Sequence, residues 1–247
     1  MIYITGDCHG NWTRFSSKNF PEQKEMTKGD YVIVCGDFGY WTPSTEQDYW
    51  LKWLNHKPFT TLFVDGNHEN FDGLYALPVE KWNDGNIHKV KESVFHLMRG
   101  QVFNIDECKI FTFGGAQSHD IQGGILEPND PDFLNKKKKL NRGTLPYRIN
   151  HRTWWKEELP SQDEMNEGLY NLEEHNWKVN YIITHCCSSS AQALLSDGCY
   201  KPDLLTAYLE EVKTRTDFIR WFFGHYHDNK QINAQEIMLY EQIIRIW

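Results

Sequence analysis

Five short apolar runs in this chain each break beside a small or polar residue and hand over at once to Asp, Asn or His. Tyr3-Ile4-Thr5-Gly6 leads into Asp7 and His9, and residues 31–35 pass through Gly36 into Asp37. Residues 62–64 break at Gly66 and deliver Asn67, His68 and Glu69 together. Residues 181–184 end in His185, and residues 219–223 pass through Gly224 into His225 and His227. Open α/β sheets present their chemistry in this way, outside the carboxyl ends of their strands. One such break means little. Five in one chain predict an α/β protein whose strand ends converge on a single site.

The pooled side chains are two carboxylates (Asp7, Asp37), one amide (Asn67) and four imidazoles (His9, His185, His225, His227). Oxygen and imidazole donors without thiolate suit Mn, Fe, Zn or Ni, Mn foremost, better than they suit a closed structural zinc site. Seven groups are too many for one tetrahedral ion and fit two ions that share a carboxylate. Two carboxylates return only half the charge of two divalent ions. The remainder favours a phosphate group and acidifies a water held between the ions, a nucleophile for in-line attack at phosphorus.

Bulk properties narrow the partners. The formal net charge of −8 gives no broad attraction to nucleic acid or an anionic membrane. No apolar run approaches the roughly 20 residues of a membrane helix. The chain opens directly on a strand pattern with no leader before it, and its six cysteines lack the spacing of a secreted disulfide scaffold, so a reduced, cytoplasmic protein is expected. No linker divides residues 1–247, which predicts a single domain.

Along the chain, residues 11–20 read as a helix with Trp12, Phe15 and Phe20 facing the core. Ser44 with Gln47, and Ser161 with Glu164, fit capping boxes that open further helices, and residues 203–214 read as an amphipathic helix. Residues 72–96 read as helical or irregular, followed by strands at 94–97, 101–105 and 109–113, with Arg99-Gly100 as a turn. Residues 237–240 and 243–247 suggest a closing hairpin. From 121 to 150 the pattern dissolves around Gly123-Gly124, Pro128, Pro131 and four lysines at 136–139, which predicts a loop insertion, either a substrate lid or a solvated excursion.

GDCHG at 6–10, GDFG at 36–39, GNHE at 66–69, the lone His185 and GHYH at 224–227 together resemble the motifs of the calcineurin-like metallophosphoesterases, in the family's order. The resemblance implies a four-layer α/β/β/α sandwich around two mixed β-sheets. It implies that Asp7, His9, Asp37 and His227 hold one metal, that Asp37 bridges, and that Asn67, His185 and His225 complete the second site. His68 would orient the phosphate or protonate the leaving oxygen. Glu69 would support the ligands from behind, and Asn11 would donate to phosphate. The stretches at 66–75, 97–103, 113–120 and 151–160 also resemble a narrower group of short bacterial and phage members, which suggests site roles for Ser118, Asp120 and Arg148.

The protein-phosphatase branch carries arginines after GD and before GNHE, where this chain has Phe38-Gly39-Tyr40-Trp41 and Val64-Asp65. The resemblance therefore implies a small phosphorylated molecule or a nucleotide as substrate, with Arg99, Arg148 or Arg152 as replacement anion contacts. Two alternatives stay open: a nucleotide or nucleic-acid phosphodiesterase, and a non-catalytic binding module stabilised by metal. Trp154-Trp155 is expected to pack rather than to stack a base, and His119 has no assigned role.

Overall fold

A computed structural model describes residues 1–247. The chain lays down β1 (Ile2–Thr5), β2 (Tyr31–Val34), α1 (Thr45–Asn55), β3 (Thr60–Phe63) and α2 (Phe71–Tyr75). The strands β4 (Val79–Trp82), β5 (Gly85–Lys91), β6 (Val94–Leu97), β7 (Gln101–Ile105) and β8 (Cys108–Phe113) follow. After them come β9 (Ile125–Leu126), α3 (Phe133–Gly143), β10 (Arg148–Ile149), α4 (Gln162–Glu174), β11 (Tyr181–Thr184), α5 (Ser189–Leu195) and α6 (Leu204–Arg215). The chain closes with β12 (Arg220–Phe223), β13 (Lys230–Gln231), β14 (Glu236–Met238) and β15 (Ile243–Arg245).

Two large mixed sheets result. The first has the order β15-β1-β2-β3-β6-β5-β4 and the second β13-β14-β12-β11-β8-β7, with β9 and β10 as a separate pair. β1, β2, β3 and β6 run parallel, as do β8, β11, β12 and β14. Every residue of β1, β3 and β11 is buried, as parallel strands covered on both faces require. Alternation divides their side chains between layers. Ile2, Ile4, Ile33 and Leu62 of the first sheet meet Ile110, Ile183 and Phe222 of the second. Tyr3, Val32, Val34 and Phe63 turn the other way, onto Leu51 and Leu54 of α1. Phe111, Ile182 and Trp221 face Leu172 of α4 and Leu209 of α6. The apolar clusters thus run helix, sheet, sheet, helix.

Several elements differ from expectation. Residues 11–20 form only a 3-10 turn at Thr13–Phe15, because the Asn11 side chain accepts from the Thr13 amide (3.2 Å) and hydroxyl (2.6 Å) and offers the backbone a turn instead of a helix. Trp12, Phe15 and Phe20 are buried even so. Between α2 and β6 lies the hairpin β4–β5, turning on Asn83 and Asp84, both at positive φ, before Gly85. The expected closing hairpin does not form: β14 joins β12 in the second sheet while β15 joins β1 in the first. β6 and β7 also lie in different sheets, so Arg99 sits in a crossover rather than a hairpin turn. Residues 121–150 are not structureless. They hold β9, β10 and the helix α3, which has no buried residue and carries the four lysines.

Candidate metal centre

The ends of β1, β2, β3, β11 and β12 open on one side, and their loops bring the predicted donors together. Asp7, His9, Asp37 and His227 each place a possible ligand atom within 4.8 Å of the others. His9 Nε2 lies 2.9 Å from His227 Nε2 and 3.7 Å from Asp37 Oδ2, and His227 Nε2 lies 3.2 Å from Asp7 Oδ2. Asp7 and Asp37 are buried, His9 is half-buried, and His227 is exposed with its ring stacked on Tyr240.

The backbone is bent to achieve this. His9 (φ 46°), Asp37 (φ 43°), His225 (φ 71°) and His227 (φ 51°) occupy the left-handed region that non-glycine residues avoid. Such strain, about 1–2 kcal/mol per residue, persists where surrounding contacts over-determine it. The Asp37 carbonyl accepts from the amides of Cys8 (3.0 Å) and His9 (2.7 Å). Asp37 Oδ1 accepts from the His68 amide (2.8 Å), and Asp7 accepts from the His225 amide (3.0 Å). A Cβ on Gly66 would lie 2.0 Å from Asp37 Oδ1, and one on Gly224 2.1 Å from Asp7 Oδ1. These glycines leave the room that the two carboxylates fill.

His185 faces the other oxygen of Asp37, with Asn67 and the His225 ring beside it. His185 is fully buried, its Nδ1–H donates to the Cys35 carbonyl (2.8 Å), and its Nε2 faces Asn67 Oδ1 (3.2 Å) and Asp37 Oδ1 (3.5 Å). Asn67 has its amide fixed from behind. Its Nδ2–H donates to Ser118 Oγ (3.1 Å), and that hydroxyl donates to Glu158 Oε2 (2.5 Å). Asn67 Oδ1 is therefore turned towards the His185 ring, oxygen lone pair against nitrogen lone pair. Only a proton or a cation reconciles them. Burial disfavours charge on His185, but the Asp37 and Asp7 carboxylates outweigh it and hold its pKa above the ordinary histidine value. His225 Nε2 points at His119 Nε2 (3.4 Å), and the rings of His185 and His225 meet edge to face at 5.0 Å.

The donor set fits divalent metal ions. Oxygen and imidazole atoms converge, and thiolate does not compete: burial pushes the Cys8 thiol up to about 12 and the Cys35 thiol well above its usual value. Glu69 is fully buried, accepting from the amides of Phe38 (2.7 Å) and Tyr40 (2.7 Å), so it holds the loop after β2 that carries Asp37.

The remaining predicted residues separate. Asp120 and Arg148 form an ion pair (Nε to Oδ1 2.9 Å), and Arg148 Nη2 reaches His68 Nε2 (3.3 Å) at the edge of the centre. Burial first, then Arg148, hold the His68 pKa below its ordinary value against the pull of Asp37. Ser118 is buried, with its hydroxyl committed to Asn67 and Glu158. Asn11 lies exposed beside His9, its Oδ1 committed to Thr13. Arg99 is no anion contact: it is buried on Asp65 (Nε to Oδ2 2.9 Å) and the Glu157 carbonyl (2.7 Å). Trp155 is buried with its indole N–H on Asp72 (2.8 Å), as a packing role requires. Sequence reasoning missed Glu158, which lies within 151–160 with no local signal to mark it. It also missed Trp41, whose exposed indole borders His68 with no motif to mark it.

No helix is long and apolar enough to cross a membrane. In comparisons with known proteins, the sequence profile of the calcineurin-like phosphoesterases matches residues 1–229. The lariat debranching enzyme of Danio rerio is 26% identical over 152 residues, covering 54% of this chain and 26% of that protein. Lariat debranching enzyme A of Xenopus laevis is 30% identical over 143 residues, covering 51% of this chain and 26% of that protein. The matches thus span about a quarter of the length of these curated relatives. With most of its length inside the family profile and its strand ends carrying the metal-type donors, the chain belongs to the calcineurin-like phosphoesterase family, hydrolases of phosphate esters that work with divalent metal ions.

Proposed function

We propose that this chain is a dinuclear metal-dependent phosphoesterase acting on a phosphomonoester or phosphodiester. The observation that carries the reading is Asp37, which turns Oδ2 towards His9 (3.7 Å) and Oδ1 towards His185 (3.5 Å), one carboxylate facing two groups of donors. Asp7, His9, Asp37 and His227 would hold one ion. Asn67, His185, His225 and the shared Asp37 would hold the other, Mn first among Mn, Fe, Zn and Ni. Two such ions supply positive charge for the phosphoryl oxygens and acidify a water for attack. His68 stands at the rim, its backbone tied to Asp37 and its Nε2 facing Arg148. There it would orient the phosphate or, once Arg148 turns to a phosphoryl oxygen and the ring is protonated, serve the departing oxygen as general acid. Arg148 beside it offers N–H groups to a phosphoryl oxygen. Residues 1–247 act in this reading as one unit, with 121–150 as an insertion beside the site.

A second reading, a nucleotide or nucleic-acid phosphodiesterase, is favoured by the names of the two relatives and opposed by the net charge of −8. The test is hydrolysis of p-nitrophenyl phosphate and its bis-ester by metal-stripped protein refilled with Mn. Asp37→Asn serves as control and is expected to lose metal and activity together. The preferred ester separates monoesterase from diesterase. A metal-loaded protein that cleaves neither ester is a binding module on this fold.

A further inference from the structure

Beside the metal centre lies a cleft of about 290 Å³ that opens onto His9 and His68. Trp41 supplies its open ring face and the buried Trp155 part of its lining, Arg148 and Arg152 its charge, and Thr42 and Thr153 its hydroxyls. No carboxylate lines it, so it does not suit an amine. Guanidinium groups do not suit a lipid chain. Planar ring faces beside hydrogen-bond donors suit a planar, acceptor-rich group. The volume, near the lower end of small-ligand sites, admits one such group rather than a polymer segment.

Trp41 is built for this although it is 47% exposed. Its indole N–H donates to the His68 carbonyl (3.2 Å), and its backbone amide donates to Gln47 Oε1 (3.1 Å). A Cβ on Gly10, at φ 72°, would come within 3.0 Å of its ring, so the indole rests on a residue that must be glycine. A ring held at three points with much of its surface in solvent costs little ordering when a partner stacks on it. The opposite wall is equally fixed. His151 Nδ1 and Trp155 Nε1 both bond to Asp72, which anchors the 148–155 segment to α2. Arg148 is neutralised by Asp120, whereas no carboxylate pairs with Arg152, leaving a cation free at the cleft. On the other side of His9 a wider cleft of about 580 Å³ is lined by Glu22 and Glu241, and its Arg14 is spent on backbone carbonyls. An anionic substituent is therefore directed to the Trp41 side.

Resting on the phosphoesterase reading, we infer that the Trp41–Arg152 cleft is the leaving-group subsite and takes a nucleoside. The base stacks on Trp41 while its phosphate faces the metal donors. The test is competition against bis-p-nitrophenyl phosphate hydrolysis by the Mn-loaded protein, comparing adenosine 5′-monophosphate with ribose 5-phosphate, which lacks the base. The nucleotide is expected to inhibit roughly 5- to 150-fold more tightly, the worth of one stacked base. That ratio should fall towards one in Trp41→Ala and largely survive in Trp41→Phe. Equal inhibition by the two compounds in the wild type, or a ratio unchanged in Trp41→Ala, overturns the subsite. Because the ratio is taken within each variant, a variant of lower activity still decides it. If the wild type hydrolyses no ester, the phosphoesterase reading fails, and calorimetric titration of the same two compounds still decides whether the base is bound.

Discussion

The two sides of the centre are held by different means. The floor, made by loops after β1, β2, β3, β11 and β12, rests on backbone: left-handed φ values, amides bonded to carboxylates, and glycines cleared for them. The wall, Trp41 with residues 119–155, rests on side-chain contacts nearer the surface, Trp41 on the His68 carbonyl, Arg148 on Asp120 and His151 on Asp72. The floor is tied to the core of both sheets and cannot vary without the fold. The wall can be rewritten residue by residue. On the proposed reading, reaction class would belong to the floor and substrate choice to the wall.

That division breaks if floor and wall variants behave alike. His68→Ala is expected to lower kcat roughly 10²- to 10⁴-fold while the metal content, measured by elemental analysis, stays at the wild-type value. Full activity in that variant would remove His68 from proton transfer. Asp65→Asn removes the partner of buried Arg99 beneath the floor and is expected to cost about 3–5 kcal/mol of unfolding free energy in a denaturant titration. Burial opposes ionisation of Asp65, but Arg99 and His96 hold its carboxyl well below the usual range. A depressed folded value stabilises fully above the unfolded value of about 4 and fades as pH falls below it. The gap between wild type and variant should accordingly be widest at neutral pH and narrow in acid.

Ser118→Ala releases the Asn67 amide and is expected to weaken binding of one of two metal equivalents roughly 10- to 100-fold in a chelator competition. Glu158→Gln should follow it in the same direction. Equal weakening of both equivalents would contradict the fixed orientation of Asn67. His151→Ala, on the wall, should change unfolding free energy by at most about 1 kcal/mol and leave metal affinity unmoved. A metal defect there would mean the wall is part of the floor.

The same division decides what the sequence discloses. Asp7, His9, Asp37, Asn67, His185, His225 and His227 each follow a local signal, a buried strand that stops at a bend. Their convergence is legible in these strand-end signals alone. Trp41 and Glu158 carry no such mark. Glu158 acts through Ser118, 40 residues away, and Trp41 through the His68 carbonyl, 27 residues away. Pairings at that distance leave no periodicity. The β4–β5 hairpin did leave a signal, Asn83-Asp84-Gly85, hidden by an apolar pattern too weak to frame it. Arg99 read as a turn residue because nothing local shows that β6 and β7 belong to different sheets.

The His9–His227 contact joins residues 218 positions apart, and β1 finds its neighbour β15 only at the far end of the chain. Contacts of such separation form slowly, after most of the chain-closure entropy has been spent. During synthesis, Asp7 and His9 emerge from the ribosome well before the His225 and His227 that meet them. A donor cluster that draws on both of these regions is therefore completed late in folding. A chain truncated before Gly224 would keep Asp7, His9 and Asp37 and lose His225 and His227.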